Sequence, residues 1–210
     1  MLTAMGDVMR KAYEKGWITT RDGNVSVKMT GKDILYITPS GWRKTILHPE
    51  HIIKVKFTPA GLSIPNGTTP SGELSMHSML QRFRKYTTAV VHLHPTNIIA
   101  AMYAGWDLQE LAAEFPEVSR YTKVGPTVPV LPVTSHELAN ATHKAMTAVE
   151  SNKVIYDIVG QKNHGVCAIG ANPWDAYEHI ERLEHICEIV LKSGVRPDEK
   201  KFKCSYRKNL

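Results

Sequence analysis

Leu2, Met5, Met9 and Ala12 or Tyr13 recur at steps of three and four residues, with Gly16 as a stop, and predict an amphipathic helix over residues 1–16. The period then changes. Asn24-Val25-Ser26-Val27-Lys28-Met29 alternates polar and apolar positions, as a strand does, and residues 33–38 do the same after the turn Thr30-Gly31-Lys32, so the pair reads as a hairpin. Further strands are predicted at 52–57 and 62–64, and a loop rich in Pro, Gly and Thr over 65–72 leads into a helix over 73–84. Residues 90–94 form a short apolar strand. Beyond Pro95 the pattern gives two helices, the second near 108–115, a strand at 128–131, a helix at 137–148, strands at 154–159 and 166–169, and a closing helix over 174–193. Strands alternating with helices, and the hairpins among them, point to a mixed α/β sheet covered by helices on its faces. Neither an internal repeat nor a low-complexity segment divides the chain. The expected organisation is one domain over 1–195 followed by a basic tail over 196–210.

Composition narrows the class. The 210 residues are 42% hydrophobic and 22% charged, enough for a full core, and a collagen, a coiled coil and a disulfide scaffold are excluded. Lys and Arg number 26 against 20 Asp and Glu, a net charge of +6. Part of that excess is local, since the tail holds Arg196, Lys200, Lys201, Lys203 and Arg207 against Asp198 and Glu199. No zinc finger, RNP-type aromatic motif or glycine-rich segment accompanies it, so the tail reads as solvated or as a subunit contact, and no nucleic-acid partner is expected. No apolar run approaches the ~20 residues of a membrane span, and the first 17 residues are too interrupted by charge for a signal peptide, so no membrane partner is expected. Cys167, Cys187 and Cys204 are widely spaced and form no CxxC pair; they predict reduced thiols in a cytoplasmic protein, and none is expected to bind metal.

The chemistry gathers around histidine. His92-Leu93-His94 continues the apolar strand Ala89-Val90-Val91, and residues two apart on a strand project from one face. Two neutral imidazoles from one rigid element suit Zn²⁺ and several other divalent ions, and His164 in the predicted turn Asn163-His164-Gly165 is the candidate third ligand. A lone histidine at a sheet end is more often only hydrogen-bonded; a pair with a third in a tight turn favours the metal. Glu73 opens a helix after Pro70-Ser71-Gly72. It reads either as a cap complementing the helix dipole or as a general acid/base beside an anion held by Ser71, Gly72 and the first helical N–H groups. Thr38-Pro39-Ser40-Gly41, with Arg43 and Lys44 behind it, is a second candidate anion loop, although Pro-Ser-Gly is also ordinary turn chemistry. His48, His51 and His77 show no partner pattern, His179 and His185, six residues apart on the closing helix and not on one face, read as surface or packing residues, and Trp42, Trp106 and Trp174 read as packing or interface residues.

Taken in order, Gly23-Asn24-Val25-Ser26-Val27, Thr38-Pro39-Ser40-Gly41, Ser71-Gly72-Glu73, His92-Leu93-His94-Pro95 and Asn163-His164-Gly165 resemble the class II aldolase/adducin family, above all its L-fuculose-phosphate aldolase branch, over residues 5–192. The resemblance implies a single-domain α/β/α sandwich with a mixed, largely antiparallel central sheet, assembled as a homotetramer with active sites near subunit interfaces. It implies one Zn²⁺ per subunit, or another divalent transition metal, on His92, His94 and His164. Glu73 matches the catalytic acid/base, and Asn24, Ser40, Gly41, Ser71 and Gly72 match positions that hold the substrate phosphate. Gly72 departs from the commoner second serine and leaves only its backbone N–H. Tyr121 matches a tyrosine that reaches a neighbouring subunit's site as proton donor, while a tyrosine at this place also reads as interface packing, and Tyr206 matches a second, C-terminal one.

The implied reaction is cleavage of a phosphorylated ketose such as L-fuculose 1-phosphate to dihydroxyacetone phosphate and an aldehyde, with the charge of an enediolate stabilised by the metal. Decarboxylation of a phosphorylated 3-oxo acid, epimerisation, and dehydration of a methylthioribulose phosphate are alternatives on the same scaffold, and Glu110, Glu114 and Glu117 keep the dehydratase open. A non-catalytic adducin-like scaffold has no physical need for a pocket of three histidines and Glu73.

Overall fold

Alternation places Val25 and Val27 on one side of the first strand and Asn24, Ser26 and Lys28 on the other, yet all five residues are buried. Such a strand needs a covering layer on each side. The computed structural model, which describes residues 1–148, 151 and 153–199, supplies both. Most of the expected tail, with Cys204 and Tyr206, lies outside the described residues.

Seven strands, β1 (Asn24–Lys28), β2 (Ile34–Ile37), β3 (Ile53–Thr58), β4 (Gly61–Ser63), β5 (Thr88–Leu93), β6 (Ile158–Gln161) and β7 (Gly165–Gly170), form one sheet in the order β4-β3-β2-β1-β5-β7-β6. Every neighbouring pair is antiparallel. Among the described residues the parallel component is confined to the isolated bridges Val124 to Ile158 and Val128 to Gln161.

On one face, Val25, Val27, Val91, Leu93, Val166 and Ala168 pack against Met5 and Met9 of α1 (Leu2–Glu14), Ile98 of α3 (Thr96–Tyr103), and Ile180 and Leu183 of α7 (Pro173–Ser193). On the other, Val90, Val159, Cys167 and Ile169 meet Met76 and Leu80 of α2 (Leu74–Gln81) and Leu138 and Met146 of α6 (His136–Met146). Each large apolar side chain so buried contributes about 1.5–3 kcal/mol relative to exposure. Asn172 caps α7, accepting from the N–H groups of Trp174 and Asp175, and Gly194 closes it in the left-handed conformation. From α7, Glu184 accepts from the N–H groups of Asn97 and Ile98 at 3.0 and 2.8 Å, which anchors the start of α3 shortly after the strand that carries His92 and leads into His94.

Four expectations are corrected. Residues 128–131 do not form a strand, because Pro126, Pro129 and Pro132 remove the backbone donors a ladder requires. The strand expected from residue 154 begins at Ile158, since the N–H groups of Ile155 and Asp157 donate to the carbonyls of Met146 and Lys123 instead. The helix expected to reach residue 84 ends at Gln81; just beyond it the carbonyls of Arg82 and Arg84 accept from the Lys28 ammonium at 3.0 and 2.9 Å. Between α4 (Leu108–Glu114) and the bridge at Val124 lies α5 (Pro116–Tyr121), whose six residues are too few for a helical period to show in the sequence. Among the described residues no helix is long and apolar enough to cross a membrane.

Candidate metal centre and anion cavity

His92 stands near the end of β5, opposite Asn24 of β1 and Cys167 of β7. His94 follows two residues later, and His164 enters from the β6–β7 turn, where Asn163 takes a left-handed conformation (φ 58°) that Asn tolerates. A Cβ on Gly165 would lie 2.8 Å from the His94 ring, so only glycine lets this turn approach so closely. The three rings sit with centroids 4.8 to 5.1 Å apart, and their candidate ligand nitrogens lie within 4.8 Å of one another.

Backbone contacts set the tautomer. His92 Nδ1 donates to the carbonyl of Val166 at 2.9 Å, which leaves the Nε2 lone pair turned inward, 3.0 Å from His94 Nε2. Nδ1 of His164 is buried without a hydrogen-bond partner. Burial lowers the pKa of all three, and nearby imidazoles lower those of His92 and His164 further, the latter to about 4. Near neutral pH the cluster is therefore uncharged, the form in which imidazole binds a metal, and two facing ring nitrogens with a third unsatisfied one fit a divalent ion.

Glu73 takes the N-cap position of α2 and is only 7% exposed. Its N–H donates to Ser71 Oγ at 3.2 Å, and its carboxylate accepts from the Thr134 N–H at 3.2 Å. Desolvation raises its pKa above the usual carboxylate range, with the Thr134 hydrogen bond opposing. Thr134 itself adopts φ 60°, an unusual conformation for a β-branched residue. A Cβ on Gly72 would meet Thr134 Cγ2 at 2.9 Å, so the space that a serine would need at position 72 is occupied from the strained segment opposite.

The two hydroxyl-and-glycine loops are joined. Pro39 and Pro70 form an isolated antiparallel bridge, Ser40 N–H donates to Thr69 O, and Ser71 N–H donates to Thr38 O. Asn24, Ser40, Gly41, Ser71, Gly72 and Glu73 thus line one cavity of about 370 Å³ together with His92, His94 and His164. A larger cavity of about 780 Å³, between α2 and α6, is lined by none of them.

Lys44 and Arg43, equal in the sequence, separate in the structure. Arg43 is exposed, whereas Lys44 is 2% exposed, lines the cavity, and donates to the carbonyls of Arg21 and Trp42 at 3.0 and 3.1 Å. Desolvation brings its pKa down to about 8, against an opposing pull from Asp22.

Tyr121 does not join this constellation. It lies on α5, 53% exposed, with the guanidinium groups of Arg120 and Arg182 5.4 and 5.8 Å from its ring centre, and it does not line the cavity. His77, without a pattern in the sequence, is fully buried and bonded to Asn24 and Ser26. The spacing Glu73, His77, Gln81, four residues apart along α2, was its available signal.

Residues 3–191 match the sequence model of the Class II Aldolase and Adducin N-terminal domain. An L-fuculose phosphate aldolase from Methanococcus maripaludis is 28% identical over 177 residues, which span 84% of this chain and 88% of that protein. A methylthioribulose-1-phosphate dehydratase from Pectobacterium atrosepticum is 28% identical over 202 residues, spanning 91% and 93%. The crystal structure of L-fuculose-1-phosphate aldolase from Thermus thermophilus superposes with a TM-score of 0.73 at 26% identity, covering 91% of this chain and 92% of that one. With the match running through nearly the whole chain and a known aldolase sharing its fold, the protein belongs to the family of the class II aldolase and adducin N-terminal domain.

Proposed function

We propose that this protein is a metal-dependent lyase that cleaves a phosphorylated ketose, such as L-fuculose 1-phosphate, to dihydroxyacetone phosphate and an aldehyde. The observation that carries the reading is the convergence in one cavity of three neutral imidazoles, a desolvated carboxyl and two joined anion loops. His92, His94 and His164 would hold the ion, with zinc the natural fit for three imidazoles. When bound, a divalent ion there supplies Lewis-acid stabilisation of the negative charge that cleavage develops.

The chain's own residues do the rest. Backbone N–H groups and hydroxyls of Ser40, Gly41, Ser71 and Gly72, with the Asn24 amide, hold the phosphate and so orient the reacting carbons, while Lys44 supplies positive charge behind them. In cleavage the C4 hydroxyl loses its proton, the C3–C4 electron pair passes to C3, and a proton is then delivered to C3. Glu73, whose carboxyl retains its proton to a higher pH than usual, is suited to that delivery and to the reverse abstraction. Tyr121 would serve the C4 oxygen of a neighbouring copy within a homotetramer; its exposure outside its own cavity is what such a role requires. Buried free thiols at Cys167 and Cys187 suit a reducing, cytoplasmic location.

Dehydration is the second reading, favoured by the relative of that name. Against it, Glu110 and Glu114 on α4 and Glu117 on α5 do not line the cavity.

The test is release of dihydroxyacetone phosphate from a panel of ketose 1-phosphates, with metal content determined on the same sample, an EDTA-treated control, and His94→Ala beside it. Chelator-sensitive release that is absent in His94→Ala, together with loss of stoichiometric metal, supports the aldolase. Bound metal without triose phosphate moves the reaction to dehydration, epimerisation or decarboxylation; absence of metal favours a scaffold.

A further inference from the structure

Behind the cavity a chain of buried polar groups runs from Asn24 through His77 and Ser26 to Gln81. His77 Nε2 lies 2.5 Å from Asn24 Oδ1, His77 Nδ1 lies 2.6 Å from Ser26 Oγ, and Gln81 Nε2 lies 2.7 Å from Ser26 Oγ. All four residues are buried. Asn24 alone of them lines the cavity, so the relay connects the site to the β1–α2 interface.

The Gln81 end of this relay is fixed by a group that can only accept, the backbone carbonyl of Ser26, which lies 3.4 Å from Gln81 Nε2. Reversing the Gln81 amide would set its oxygen against that carbonyl oxygen, so the NH₂ end faces Ser26. Ser26 Oγ accepts from Gln81 and keeps its own O–H for His77 Nδ1, while Asn24 Oδ1, an amide oxygen that can only accept, faces His77 Nε2 and requires the proton there. The ring proton sits on Nε2, and it is donated to Asn24 Oδ1. Burial keeps the ring neutral, with its pKa lowered to about 3.

The consequence lies at the other end of the Asn24 side chain. With Oδ1 engaged, the amide presents its NH₂ hydrogens to the cavity. Were the relay reversed, Asn24 would present an oxygen there and repel an anion.

We propose that His77 is a positioning residue which, held as the Nε2–H tautomer by Ser26 and Gln81, fixes the Asn24 amide as a hydrogen-bond donor to the anionic group of the substrate. The inference rests on the reading of the cavity as a sugar-phosphate site. It identifies why polar residues occupy alternate positions on a strand buried on both faces: they transmit an orientation from α2 to the cavity.

Two measurements test it on the full-length, metal-loaded chain. Long-range ¹H–¹⁵N correlation on the wild type reports the His77 tautomer directly; Nε2–H is expected, and Nδ1–H overturns the proposal without any variant having to fold. Titration of inorganic phosphate into the wild type, His77→Leu, His77→Gln, Asn24→Ala and the double variant Asn24→Ala/His77→Leu gives the second. Loss of a hydrogen bond to a charged group predicts phosphate binding about tenfold weaker or more in His77→Leu and in Asn24→Ala. The double variant should be no weaker than Asn24→Ala, metal content should be unchanged, and His77→Gln, which keeps an N–H donor toward Asn24, should recover most of the affinity. Wild-type affinity in His77→Leu alongside weak binding in Asn24→Ala overturns the positioning role and leaves the proposed function standing. Undiminished affinity in Asn24→Ala overturns the inference together with the phosphate assignment of Asn24, while metal-dependent cleavage is judged by its own assay.

Discussion

The two sides of β1 are equally buried and chemically opposite, and β5 beside it shares the contrast at His92 but not at Val90, which packs on α2. Toward α1, α3 and α7 the strands present Val25, Val27, Val91 and Leu93 to a close-packed apolar layer. Toward α2 they present Asn24, Ser26, Lys28 and His92, each with hydrogen-bond partners. Burying an unpartnered polar group costs about 1–3 kcal/mol, so the polar side is tolerated only because α2 and its C-terminal turn partner Asn24, Ser26 and Lys28, and the Val166 carbonyl of β7 partners His92. The apolar side confers stability with little dependence on detail. The polar side contributes direction: it decides which atoms of Asn24 and His92 face the cavity.

This contrast can be broken from either side. The largest effect should come from Glu73→Gln on the polar side, with turnover falling by about 10²–10⁴-fold while metal content is retained. Stability should move the other way. The raised pKa of Glu73 means that the folded chain holds a proton the unfolded chain has already released. Its contribution is therefore present below the unfolded value and lost as pH rises through the folded one. Glutamine keeps the acceptor for Thr134 N–H and removes the charge, so the EDTA-treated variant should unfold at a higher temperature than wild type above that pKa and show no advantage at low pH.

On the apolar side, Leu183→Ala, at a fully buried position of α7, should destabilise by about 2–5 kcal/mol in denaturant unfolding, with turnover per folded chain nearly unchanged. A comparable loss of turnover would show that the two faces are not separable.

Smaller effects sharpen the boundary of the site. Gly72→Ser sets a Cβ 2.9 Å from Thr134 Cγ2 and should destabilise by about 1–3 kcal/mol, most of it recovered when Thr134→Gly is added.

Lys44 gives the smallest effect and the clearest sign. Its folded pKa of about 8 is below the ordinary 10.5, so between those values the unfolded chain holds a proton that the folded one has released. Stability should rise with pH across that window. Affinity for sulfate, which does not titrate there, should fall by up to about tenfold over the same range as the ammonium loses its charge. Lys44→Met should abolish both trends.

Most of the architecture was legible because it rests on local periodicity. Residues 1–16 and 174–193 are long enough for a helical period to show, and β1, β2 and β3 alternate in full view. His92 and His94 were legible for the same reason, two positions apart in a run that reads as one strand, although β5 ends at Leu93 and His94 lies just beyond it, its N–H donated to the carbonyl of Trp17. Residues 128–131 and 154–157 were misread because their apolar content suggests strands, while the prolines of the first and the distant hydrogen-bond partners of the second prevent a ladder. His77, Gln81 and Thr134 carried no strong pattern. A buried histidine is recognised by what surrounds it, and its partners are 53 and 51 residues away in the chain.

What the sequence by itself determined is therefore the inventory and its local order: strands and helices with their faces, a histidine pair on a rigid element, and two loops of hydroxyl and glycine residues whose combination resembles one family. Which of Arg43 and Lys44 would be desolvated, whether the two loops would meet, what would occupy the space beside Gly72, and which way the Asn24 amide would point were decided only by tertiary structure. The physical reason is that burial, tautomer and hydrogen-bond direction belong to no residue alone; each is set by groups that the fold brings within about 3 Å from distant parts of the chain.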